Sequence, residues 1–295
     1  MKKCPSQLQT AEGLGTTHGI DIPDHISSKE REILKDLAWK VAEIASGTLE
    51  QEKINLWTEH NDLISTRPLI FCDPENGWNE IIPQSQILCE SPLLRVWEMY
   101  LRKEIHWAES FQDDRVIEPY FNIPYHYTNS GYGLEEKVIG GENGGSFKYD
   151  HPLKDYEKDF DKLKFPEISV DHQTTSTVLS IAHELFDGIL DVRIKGVWWW
   201  TLGMTWDFIK LRGLENLMID MIMYPENVHR MMVFLRDATL NKLDFLEQNS
   251  LLDLNTRGSY VGSGGFGWTN QLHQEGFNGS KVRTKDMWGF CETCR

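Results

Sequence analysis

The chain has 295 residues, 40% of them hydrophobic and 25% charged, values that support a globular core and exclude whole-chain disorder. A formal net charge of −15 with no basic run to offset it argues against nucleic acid or an anionic membrane surface as partner. No apolar run is long enough for a membrane span, MKKCPSQLQTAEG has no apolar segment behind its lysines, and five cysteines (mostly far apart) do not read as a disulfide framework, so a cytoplasmic protein is expected.

In chain order, residues 1 to about 26 are broken by Gly13, Gly15, Gly19 and Pro23 and read as irregular. Ser27 with Glu30 forms a capping-box signature that predicts a helix over Lys29–Ala45, with Ile33, Leu34, Leu37, Ala38, Val41 and Ile44 on its apolar face. A second helix is expected over Leu49–His60. Together, residues 1–66 read as an N-terminal helical extension. Pro68–Cys72 (PLIFC) is a predicted strand followed by turn chemistry at Asp73, Pro74, Asn76 and Gly77. Leu93–His106 is a predicted helix, with Pro92 in its first turn. Segment 116–149 is tyrosine- and glycine-rich and irregular, the kind of loop that shapes a cavity, with His126 as a candidate substrate contact. Its glycine pairs match no phosphate-binding loop.

A helix over Gln173–Phe186 leads into DVRIKGVWWWTLGMTWD, Asp191–Asp207, around which the chain is organised. As a strand it places Asp191, Arg193 and Lys195 on one face and Val192 and Ile194 on the other. Gly196 marks a bend or a close backbone approach, and Trp198, Trp199, Trp200 and Trp206 supply wide aromatic surface. Helices follow over Leu214–Met223 and Glu226–Glu247, with Met218, Met221, Met223, Met231 and Met232 read as core filler. Leu251–Asn255 and Lys281–Phe290 are further strand-like units, the first followed by the glycine loop VGSGGFGW. The alternation of helix and strand predicts an α/β fold. Three clusters stand at strand ends: Asp191, Arg193 and Lys195; Asp253 and Asn255; Lys285 and Asp286. Carboxylates beside cations suit an anionic or carboxylated small molecule, or they neutralise one another as ion pairs.

The runs VRIKGVWWWTLGMTWDFIKLRGLENLMIDM, YVGSGGFG and KDMWGF, with FCDPENGWNEIIP and GLEEKVIGGENGGS, resemble uroporphyrinogen-decarboxylase-like proteins, over about Arg67 to Phe290. That superfamily also holds corrinoid-dependent methyltransferases and cobalamin-independent methionine synthase. The resemblance implies a TIM-barrel-like α/β fold, incomplete here, with residues 67–295 as the N-terminal portion of a (β/α) barrel. It also implies either cofactor-free decarboxylation of an anionic tetrapyrrole or other carboxylated substrate, or methyl transfer involving zinc and a corrinoid protein. The arginine-rich R-Q-A-G-R pattern of the true decarboxylases is absent, and family members run well past KDMWGF. The later strands and the His/Cys ligands of a methyltransferase are thus expected to be absent from this chain; zinc and a corrinoid partner belong to the reading only if a C-terminal half exists. A half barrel leaves an open edge, which a second copy would close as a homodimer.

On the enzyme reading Asp253 and Asp286 handle protons, while Arg193, Lys195, Trp198, Asn255, Lys285, Trp288 and His126 contact substrate. The competing readings are a truncated, non-catalytic paralogue that binds a ligand in the aromatic cavity, and carbohydrate processing by acids beside tryptophans. Cys291 and Cys294 form a C-x-x-C pair, two of the four ligands of a structural zinc site or a bare redox pair.

Overall fold

The computed structural model describes residues 19–74, 77–135, 137–140, 147–199, 202–261, 265–273 and 275–289, and the backbone of 9–10 and 13–14. Cys291, Cys294, Trp200, Asn76, Gly141, Gly144 and Gly145 lie outside them.

The described elements run β1 (Gln9–Thr10), β2 (Gly13–Leu14), α1 (Ser28–Ala45), α2 (Thr48–Asn61), α3 (Trp78–Ile81) and α4 (Pro92–His106). They continue with β3 (Tyr120–Ile123), β4 (Tyr127–Asn129), β5 (Lys137–Gly140), β6 (Phe147–Asp150), α5 (Tyr156–Asp159), β7 (Ile168–Val170), α6 (His172–Phe186) and β8 (Asp191–Ile194). Last come α7 (Met204–Arg212), α8 (Leu214–Met223), α9 (Pro225–Gln248), β9 (Tyr260–Val261) and β10 (Gly265–Phe266).

Helix α1 begins where its capping box requires: Ser27 Oγ accepts the Glu30 N–H at 3.2 Å, and Glu30 Oε2 accepts the Ser27 N–H at 3.2 Å. The other Glu30 oxygen takes the N–H groups of Glu90 and Ser91 at 3.0 and 3.1 Å, which fastens the start of α1 to the segment leading into α4. Burial would raise this carboxyl, yet the Ser27 hydroxyl and the three donors around it hold it below the usual glutamate range. Leu34, Ala38 and Val41, spaced for one helix face, pack into a core shared with α4, α6, β3 and β8. At its centre Trp97, Phe121 and Phe186 meet with ring centroids 5.2 Å (Trp97–Phe121) and 4.3 Å (Phe121–Phe186) apart. Each such buried side chain contributes about 1.5–3 kcal/mol of transfer free energy.

A second core joins α7, α8 and α9 to Leu153 and Tyr156. Its polar anchor is Asp220, which accepts from Arg212 Nε at 2.7 Å and from the Tyr156 hydroxyl at 2.9 Å. Smaller clusters form around Trp57, Tyr260, Phe266 and Trp268, and around Trp198, Leu246, Leu251 and Leu252.

The fold is mixed α/β, and the expected TIM barrel is not formed. Strands among the described residues pair only in twos, in five separate sheets, none closed into a barrel. One pair, β3 with β8, is parallel; the others are antiparallel. The physical reason lies in the segments predicted as further strands. In PLIFC the N–H groups of Ile70 and Cys72 go to the carboxylates of Asp114 and Asp113, at 2.7 and 2.8 Å, so side chains occupy ladder positions. In 251–255 the Leu251 carbonyl accepts the Trp198 indole N–H at 2.7 Å, and no ladder forms. Within 281–290, residues Thr284–Asp286 wind into a 3-10 turn. The core-filler reading of the methionines also fails on α8: Met231 is buried, whereas Met218, Met221 and Met223 are exposed.

Candidate ligand-binding cleft

The site grows out of the parallel pair. In its register Tyr120 faces Asp191, Phe121 Val192, Asn122 Arg193 and Ile123 Ile194. Alternation sends Phe121, Ile123 and Val192 into the core, which leaves Tyr120, Asn122 and Arg193 on the opposite face. Arg193 Nε donates to Asn122 Oδ1 at 2.7 Å, and its guanidinium carbon sits 3.6 Å over the Tyr120 ring. This fork orients the guanidinium; its two terminal nitrogens have no hydrogen-bond partner among the described residues.

Lys195 extends β8 through its N–H to the Ile123 carbonyl at 2.9 Å, and its side chain is buried. Gly196 follows, where the 251–253 segment crosses closely. A Cβ at this position would meet Trp198 Nε1 at 2.6 Å, the Leu251 carbonyl oxygen at 2.7 Å and Asp253 Oδ2 at 3.2 Å. The absence of a side chain lets the Gly196 N–H donate to Asp253 Oδ2. Burial pushes the Asp253 carboxyl above the ordinary aspartate range, against the Gly196 N–H and the charges of Lys195 and Arg193, which favour the ionised form.

Arg193, Lys195 and Asp253 converge on a cleft of about 880 Å³, walled also by Glu50, Glu118, Tyr120, Arg257, Trp268 and His273. An adjoining niche of about 30 Å³ is lined by Lys195, Gly196, Trp198, Asp253 and Asn255. Glu50 is committed elsewhere, to Lys53 Nζ at 2.9 Å and to the Ile117 N–H. The Glu118 carboxylate lies over Gly258, whose φ of +65° and lack of a Cβ permit the approach. The sequence reading missed Glu118, Tyr120, Arg257, Trp268 and His273. Glu118 and Tyr120 bracket Pro119 at the start of a short strand, and Arg257 follows LLDLNT, so position next to a strand or strand-like unit was the available signal.

Other expected contacts are spent on the fold or lie away from the cleft, with Trp198 and Asn255 edging the small niche. Asp286 is fully buried and holds its own turn, accepting from Arg283 Nε at 2.7 Å and the Arg283 N–H at 3.1 Å; neither cavity reaches it among its described lining. Asn255 exchanges two bonds with the Trp288 backbone, at 3.0 and 2.9 Å, which spends its amide on holding that residue in place. Trp198 donates to Leu251 and stacks on Tyr125 with centroids 5.4 Å apart. His126 is buried beside Thr175, whose hydroxyl accepts the His126 N–H at 3.0 Å. Lys285 is exposed on the surface.

The arrangement lines one cavity with two cations and one protonatable carboxyl, beside aromatic surface. That set can bind a carboxylate and pass a proton to it or to a neighbouring atom. Among the described residues no group of three or more His, Cys, Asp or Glu is placed to hold a metal ion, and no helix is long and apolar enough to cross a membrane. Comparison with family models, curated proteins and solved structures returns no match to this chain.

Proposed function

We propose that the cleft binds a small carboxylated molecule and that Asp253 protonates it, in a decarboxylase-like reaction. The observation that carries this reading is the convergence of Arg193, Lys195 and Asp253 on one cavity of about 880 Å³, with burial keeping the Asp253 proton on to higher pH. The Arg193 fork and the Lys195 ammonium take the substrate carboxylates. A carboxyl that departs as CO2 leaves the C–C electron pair on carbon. The Asp253 proton closes the new C–H bond, and solvent water returns a proton to Asp253.

The test is calorimetric titration with benzene-1,3,5-tricarboxylate and with its neutral triamide. The carboxylate should bind, the triamide should not, and Arg193→Gln should weaken binding about tenfold or more, the effect of losing a charge-assisted contact. Equal binding of the triamide, or an unaffected Arg193→Gln variant, overturns the proposal. Release of CO2 from carboxylates that bind separates turnover from simple holding: binding without release leaves a ligand-binding protein.

A further inference from the structure

We infer that α8 is a self-association face, on which two copies of this chain pack about a twofold axis. The helix buries only Leu217 and Asp220 against its own fold. The rest of its apolar content points outward: Met218, Ile219, Met221, Ile222, Met223 and Tyr224 are all exposed, Ile222 at 82%. At ordinary side-chain areas these exposures amount to roughly 700 Å², close to the ~800 Å² each partner contributes to a standard stable interface. A patch of this size exceeds what a soluble monomer commonly leaves in water.

Charge selects the occupant. The chain carries −15, yet the one ionisable group in 216–223 is Asp220, buried and held by Arg212. The exposed surface of 216–224 is therefore uncharged and is bounded by the exposed Glu215, so two identical patches meet without opposing like charges over Met218–Tyr224. A lipid surface is a poorer fit, because the exposed charged residues flanking the patch in sequence are Glu215 and Glu226 rather than lysines or arginines. Unbranched methionines let the two faces interdigitate without fixed shape, and a twofold axis brings the same patch of each copy together.

Sedimentation equilibrium on the full chain tests this, up to about 100 μM. The wild-type chain should sediment as a dimer. Ile222→Asp and Met218→Asp each place two carboxylates in the interface and should raise the dissociation constant at least about 100-fold, with unchanged far-ultraviolet circular dichroism. Leu63→Asp, at a 93% exposed position off this helix, should leave the dimer intact. A wild-type monomer over the whole range, or a dimer that survives both α8 substitutions, overturns the inference. A monomer that floats with phosphatidylcholine vesicles overturns it in favour of a lipid surface. The outcome is independent of whether the cleft binds carboxylates.

Discussion

Substituting Gly196 with alanine probes the junction on which the cleft depends. The new Cβ would stand 2.6 Å from Trp198 Nε1 and 2.7 Å from the Leu251 carbonyl oxygen, both well inside van der Waals contact. Neither neighbour is the free end of a flexible chain: one is a buried indole, the other is backbone. Relief means moving the 251–253 segment away from the end of β8, which lengthens the 2.7 Å bond from Trp198 to Leu251 and the bond from the Gly196 N–H to Asp253. Overpacking of this kind costs about 1–3 kcal/mol, and each weakened hydrogen bond about 1 kcal/mol, so Gly196→Ala should destabilise the fold by about 3 kcal/mol. Gly188 supplies the comparison: its φ is +78° but nothing lies within 4 Å of a Cβ there, so Gly188→Ala should cost about 1–2 kcal/mol through backbone strain alone. Urea unfolding followed by tryptophan fluorescence measures both. A loss below about 0.5 kcal/mol for Gly196→Ala, or a loss no larger than for Gly188→Ala, would refute the close-approach argument.

Two further substitutions test the carboxylates through pH. Glu98 is fully buried and accepts from the Cys89 N–H at 2.7 Å, the Leu88 N–H at 2.8 Å and Arg102 Nε at 2.8 Å. Burial would raise its carboxyl, but these donors outweigh it and hold it below 4.5, so its contribution is present above that value and lost as pH falls through the folded one. Glu98→Gln should therefore cost about 1.5–3 kcal/mol near neutrality, the scale of hydrogen bonds to a charged group, with the gap closing in acid; a gap that stays constant to low pH contradicts this. Asp253 has the opposite sign. Its folded pKa lies above 3.8, so stability is greatest below 3.8 and declines as pH rises through the folded value. In thermal melts across pH, Asp253→Asn should remove that decline and be the more stable protein above the window; parallel wild-type and variant curves would count against it.

The helices were legible because their signals are local. The Ser27–Glu30 box and the 3.6-residue spacing of Leu34, Ala38 and Val41 lie within a few residues, and α1 starts one residue from the predicted position. Helix α8 spans the predicted Leu214–Met223. Its facing was not legible: Met218, Met221 and Met223 have helical spacing whether a neighbour covers them or not. The strand at Asp191–Ile194 formed as predicted, but those predicted at 68–72, 251–255 and 281–290 did not, for a related reason. An apolar run such as PLIFC becomes a strand only if another backbone supplies its ladder, and here Asp113 and Asp114, some forty residues on, supply carboxylates to the Ile70 and Cys72 N–H groups and a single backbone bond, from the Asp114 N–H to the Ile70 carbonyl. At the cleft, Arg193 and Lys195 were legible as lining residues because alternation sets one face of β8, and Asp253 because it stands at the end of a strand-like run. Asp286 and Asn255 matched the same pattern but were drawn into holding Arg283 and Trp288, choices made by tertiary neighbours.

The cleft walls belong to different packing clusters. Tyr120 and Arg193 stand on the sheet of the central core, Trp268 belongs to the cluster around Trp57, and Asp253 follows Leu251 and Leu252 of the cluster beneath Trp198. A molecule seated among them would act as a cross-brace. Opening of any one cluster would then have to break contacts to that molecule, so the free energies of separate local openings rise together on binding. Occupancy would make the protein more cooperative as well as more stable, with the cavity serving as the joint where independently packed parts are fastened.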